Sequence, residues 1–137
     1  MPNYAILSAG RDRPLLFTRN RVLEEAGYIV TPAITPAEIT EVFFRGDFDA
    51  VILCHSIPQE ERERIARIVR MHSPSTPVIV LADLPTRKYE FGDMTIESDA
   101  ASLLRSVPEA LAIAAARKPI SPAHPLTTPA RRPRRSA

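Results

Sequence analysis

Phe48-Asp49-Ala50-Val51-Ile52-Leu53-Cys54-His55-Ser56-Ile57-Pro58 is the stretch on which the fold turns. A turn-like Gly46-Asp47 precedes it, and its apolar run breaks into a polar loop closed by Pro58. A short continuous apolar run bounded by turn signals predicts a strand buried on both faces. Sheets of that kind hold ligands beyond the carboxyl ends of their strands, where strand order reverses. The loop from Cys54 to Pro58 is therefore the first place to look for a site.

Outward from this strand the pattern alternates. Tyr4 to Leu7 predicts the first strand, and Ser8 to Arg13 a polar loop. Pro14 suits a first helical turn, where its missing N–H costs nothing. Leu15, Leu16, Val22, Leu23 and Ala26 then keep helical spacing, with Arg19 as a polar exception, and Gly27 suits the left-handed cap. Tyr28 to Thr31 predicts the second strand. Thr35-Pro36-Ala37-Glu38 has the form of a capping box, and Ile39, Val42 and Phe43 form the buried stripe of the helix it opens.

Past Pro58, Gln59-Glu60-Glu61 put negative charge at the positive end of a third helix, with Arg67 and Arg70 toward its other end. Ile65, Ile68 and Val69 face the core. Pro77 to Leu81 predicts a fourth strand, and Met94 to Ile96 a weaker fifth. The last helix is expected from Asp99 or Ala100 to Ala116, kinked at Pro108. Such alternation implies a parallel sheet with helices on both faces.

The chain has 137 residues, enough for one domain with a real core. It contains no run of about 18 apolar residues, so no membrane span is expected. The start, Met1-Pro2-Asn3-Tyr4, lacks a basic region followed by an apolar one, so no signal peptide is expected. Cys54 is the one cysteine, which excludes an internal disulfide and suits the cytoplasm. The net charge of +2 conceals an asymmetry. Residues 1–117 carry 16 acids against 13 Lys and Arg, a net −3. Residues 118–137 carry Lys118, Arg131, Arg132, Arg134 and Arg135 and no acid, a net +5. Rich in Pro, Ser, Thr and Arg, this tail lacks the apolar surface to order itself, so we expect a domain over 1–117 and a disordered basic tail.

Several pieces together resemble the receiver domain of two-component response regulators. Asp49-Ala50-Val51-Ile52-Leu53-Cys54-His55-Ser56-Ile57-Pro58 is similar to that family's central strand, Asp-Leu-Val-Leu-Leu-Asp-x-x-x-Pro. Val22 to Tyr28 looks like the end of its first helix, and Ser73 to Leu81 like its fourth strand and lead-in. The resemblance covers residues 3–116. It implies a flavodoxin-like, doubly wound, five-stranded parallel sheet of order 2-1-3-4-5. The spacing from Ala82 to Asp93 implies a fourth helix that is short or absent.

The same resemblance places the family's phosphoacceptor aspartate on Cys54 and its metal-binding acidic pair on Gly10 and Arg11. The conserved Thr or Ser of the family falls on Ala82, and its Lys on Glu97. Every one of these positions departs from the pattern. Mg²⁺ needs oxygen ligands, and an acyl phosphate needs its charge neutralised. We therefore expect no phosphorylation, no Mg²⁺ or other cofactor, and no catalysis. The implied role is an adaptor in or beside a two-component pathway. It would work by contact with a protein partner: a histidine kinase, another receiver or a second copy of itself.

Other readings stay open at this stage. Cys54 fits a small apolar filler, or a redox thiol whose ionisation Arg11 would assist. Cys54 and His55, as strand neighbours, point to opposite faces and make a poor nucleophile and base. One Cys and three scattered His show no zinc spacing. Ser8, Arg11, Asp12, His55 and Ser56 are a candidate ligand loop for an anion, without a P-loop or dinucleotide motif. The charged run from Glu60 to Arg70 reads as a solvated helix face with Glu–Arg pairs. The tail offers charge for nucleic acid but no aromatic residue for stacking.

Overall fold

The computed structural model describes residues 4–82, 94–97 and 99–117. Five strands are β1 (Ala5–Ala9), β2 (Ile29–Ala33), β3 (Ala50–Leu53), β4 (Val78–Ala82) and β5 (Met94–Glu97). Four helices among the described residues are α1 (Arg13–Glu25), α2 (Pro36–Arg45), α3 (Gln59–His72) and α4 (Ala100–Arg117). The strands form one sheet of order β2-β1-β3-β4-β5, and every pairing is parallel. This is the doubly wound architecture expected from the sequence. The expected short fourth helix and the tail lie outside the described residues.

Parity along the strands decides which layer each side chain joins. Leu7, Ala9, Val51, Leu53, Val78 and Val80 pack with Ile39 and Phe43 of α2 and Ile65, Ala66 and Val69 of α3. The intervening Ile6, Ala50, Ile52, Ile79 and Leu81 pack with Leu23 of α1 and Leu103, Val107 and Ala110 of α4. Both faces are covered, so β3 and β4 must be apolar at every position. Each fully buried Val, Leu or Ile contributes on the order of 1.5–3 kcal/mol.

Local signals act as the residue types demand. Asp12 caps α1 by accepting from the Leu15 N–H at 3.1 Å. Gly27 has φ +102°, a region that side chains disfavour. Thr35 accepts from the Glu38 N–H at 3.1 Å, while the Glu38 carboxylate reaches back to the Ile34 N–H at 2.8 Å. The reciprocal bond thus lands one residue before the cap. α4 is one helix across Pro108.

Some boundaries move. β1 runs to Ala9, so Ser8 belongs to the strand and not to the loop. Its hydroxyl is satisfied inside the fold by Asn20 Oδ1, at 2.6 Å, which lets a polar residue sit at a buried strand position. β2 runs to Ala33 and includes Pro32. It is an edge strand, where a missing N–H is tolerated. Arg62 is 4% exposed and takes the first place in the stripe Arg62, Ile65, Ala66, Val69. The charged run of α3 is therefore not a fully solvated face.

Candidate functional site

The carboxyl ends of the strands bring together Gly10, Arg11 and Asp12 after β1 with Cys54, His55 and Ser56 after β3. Ala82 ends β4 and Glu97 ends β5, and the two are register partners. The first two loops are tied backbone to backbone and side chain to backbone. The Cys54 N–H donates to the Ala9 carbonyl at 2.9 Å, and the Gly10 N–H donates to the Ala33 carbonyl at 3.1 Å. Ser56 Oγ accepts from the Arg11 N–H at 2.9 Å and lies 3.4 Å from the Asp12 N.

His55 lies in a turn beyond the end of β3, so strand alternation does not govern its side chain, whereas Cys54 directly follows the strand. Cys54 is 1% exposed. It has the parity of Ala50 and Ile52 and so meets α1. There the Arg19 guanidinium, through Nη1, donates to Cys54 Sγ at 3.1 Å. The cation beside the thiol is therefore Arg19, buried in α1, and not Arg11, which is exposed. Arg19 could have been suspected from the sequence, because a charged residue inside an apolar helical stripe needs a buried acceptor. Gly10 is held close: a Cβ there would stand 3.0 Å from the Cys54 Cβ.

Three of the remaining polar groups are engaged within the fold. Ser8 is bonded to Asn20. The Asp12 carboxylate caps α1, and the Ser56 hydroxyl holds the β1–α1 loop. Of the candidate ligand loop, Arg11, Asp12, His55 and Ser56 are together at the mouth, whereas Ser8 is in the layer beneath. Among the described residues, no three or more His, Cys, Asp or Glu side chains converge as a metal site would require. No described helix is long and apolar enough to cross a membrane.

This architecture is the fold of response regulator receiver domains. It superposes on a CheY-like receiver domain from Methanospirillum hungatei with a TM-score of 0.74 and 19% identity, covering 85% of this chain and all of that one. A receiver domain of an HD domain-containing protein from Pseudomonas fluorescens gives 0.73 and 17% identity, covering 85% of this chain and 100% of that one. The response regulator TrrA of Thermotoga maritima, solved with Mg²⁺ and BeF, gives 0.70 and 20% identity over 78% of this chain and 98% of that one. No protein-family model matches the sequence, and no curated protein matches it either.

Proposed function

We propose that this chain is a receiver-like signalling adaptor that works without phosphorylation, by protein contact, in or beside a two-component pathway. The observation that carries this reading is the donor set at the mouth. Cys54 stands at the end of the central strand with its sulfur turned to a guanidinium. Gly10 brings no side chain, and Arg11 brings a positive charge. The one carboxylate among the described residues of these two loops, Asp12, is engaged as a helix cap. These residues do not fit Mg²⁺, a hard cation that takes oxygen ligands and keeps near-octahedral geometry. They also offer no carboxylate at the end of β3 to accept a phosphoryl group, and by resemblance the family's lysine position falls on Glu97, at the end of β5.

A protein contact needs exposed anchor residues instead. Leu104 and Ile113 of α4 are exposed, as are Phe44 of α2 and Met71 of α3. Aromatic residues and Met are enriched in the cores of protein interfaces, which Phe44 and Met71 would suit. The thiol-sensor reading is disfavoured by burial, since an oxidant in water does not reach a sulfur that is 1% exposed.

The test is incubation with acetyl phosphate and Mg²⁺, followed by intact-mass measurement. The wild-type chain is expected to gain no phosphoryl group. Cys54→Asp is expected to gain none either, because the metal ligands are missing as well. Affinity for a histidine-kinase dimerisation domain should be the same with and without acetyl phosphate. A stable phosphoprotein, or an affinity that changes with phosphodonor, would overturn the proposal.

A further inference from the structure

A second surface lies at the opposite end of the sheet. Tyr4, Asp47, Phe48, Asp49, Leu111 and Ala115 line a cleft of about 250 Å³ between the amino ends of β1 and β3 and the last turns of α4. The charged residues that line it are Asp47 and Asp49. Asp47 is exposed and Asp49 is half-buried, with its Oδ2 accepting from the Ala5 N–H at 2.8 Å. Phe48, Leu111 and Ala115 add apolar wall beside the carboxylates.

We propose that residues 118–137 of this same chain dock into this cleft in cis. Three facts point to that occupant. The wall of the cleft is the end of α4, and Ala115 stands three residues before Lys118, so the tail follows in sequence directly on the cleft wall. The charges are complementary: the tail carries Lys118 and four arginines with no acid, and the cleft carries two carboxylates. The tail is also long enough to return. Residues 118–131 span up to about 40 Å if extended, at about 3.1 Å per residue, against a radius of gyration of about 13 Å for a domain of this size.

Tethering makes weak contacts sufficient. A short linker holds its end at an effective concentration on the order of millimolar. Lys118 and Ile120 fall nearest the cleft in sequence, and they match its mixture of carboxylate and apolar wall. The arginines of residues 131–135 add attraction that salt screens within about 8–10 Å. Docked in this way, the tail covers its own charge and is not presented to nucleic acid.

The test uses the full chain, labelled for backbone-amide NMR. Wild type is compared with a tail in which Lys118, Arg131, Arg132, Arg134 and Arg135 are all replaced by Gln, which leaves the described domain unaltered. Amides of Tyr4, Phe48, Asp49 and Leu111 are expected to shift between the two. Those differences should collapse in about 0.5 M NaCl, where the screening length falls to about 4 Å. Asp47→Asn with Asp49→Asn should reproduce them from the other side; Asn at position 49 keeps an oxygen acceptor for the Ala5 N–H. Two results would overturn the proposal. One is a cleft whose amides ignore the tail charges. The other is a tail whose neutralisation moves resonances elsewhere, or abolishes salt-sensitive DNA binding while leaving the cleft unchanged.

Discussion

Arg19 and Cys54 form a buried pair across the α1–β3 boundary, with the guanidinium 3.1 Å from the sulfur and the two side chains 7% and 1% exposed. Taking a guanidinium out of water is costly unless its donors are met, so this contact helps justify an arginine in an apolar layer. Arg19→Ala removes the donor and leaves a void over the thiol. It is expected to lower stability in urea by about 1–3 kcal/mol, the range for losing a buried charged hydrogen-bond partner. Reaction of native Cys54 with an aromatic disulfide reagent, slow in the wild type, should accelerate in that variant. Equal rates and equal midpoints would show that the pair is incidental.

Gly10 and Cys54 approach one another so closely that any side chain at position 10 must displace its neighbours. A Cβ on Gly10 would lie 3.0 Å from the Cys54 Cβ and 3.5 Å from a Leu16 methyl. Gly10→Ala is expected to cost about 1–3 kcal/mol by overpacking. Cys54→Ala retains its Cβ and should not relieve it, whereas Cys54→Gly should. A double-mutant cycle in denaturant reads the coupling directly, and a coupling near zero with Cys54→Gly would contradict the geometry.

Ser56 ties the two loops at the mouth by accepting from the backbone of Arg11 and Asp12. Its partners are exposed, so water replaces much of what is lost. Ser56→Ala should therefore cost only about 0.5–1.5 kcal/mol globally. The local effect is larger: amide hydrogen exchange at Arg11 and Asp12 should rise while exchange in β3 and β4 is unchanged. Uniform acceleration across the sheet would show that Ser56 acts on global stability instead.

The sheet was legible because its central strands are buried on both sides. Val51 to Leu53 and Val78 to Leu81 have no polar face to confuse with a helix, and turn residues bound them. Ser8 was misplaced because the burial of a serine depends on a partner, Asn20, that is distant in sequence. Arg19 and Arg62 share that difficulty. Each occupies a core position of an amphipathic helix, and periodicity records only that it is polar. Parity, by contrast, does travel along a strand and its immediate extension: Cys54 continues the register of Ala50 and Ile52 toward α1, which is why α1 supplies its cation.

Asp99 caps the start of α4 with a carboxylate that accepts two hydrogen bonds from Ser102. Its Oδ1 accepts from the Ser102 N–H at 2.8 Å, and its Oδ2 accepts from the Ser102 hydroxyl at 2.9 Å. These hydrogen bonds favour the ionised cap and hold its carboxyl below the ordinary 3.8, with smaller help from the Arg105 charge. A carboxyl depressed in the folded state stabilises fully above its unfolded value and loses that contribution as pH falls through the folded one. The melting temperature of the wild type should thus drop as pH is lowered from 3.8. Asp99→Asn keeps an oxygen that can cap Ser102 but cannot titrate, so it should flatten this part of the profile while remaining folded at neutral pH. Asp99→Ala should lower the melting temperature at neutral pH and narrow the gap to wild type on acidification. If wild type and Asp99→Asn fall together below pH 3.8, the carboxylate cap is not the group responsible.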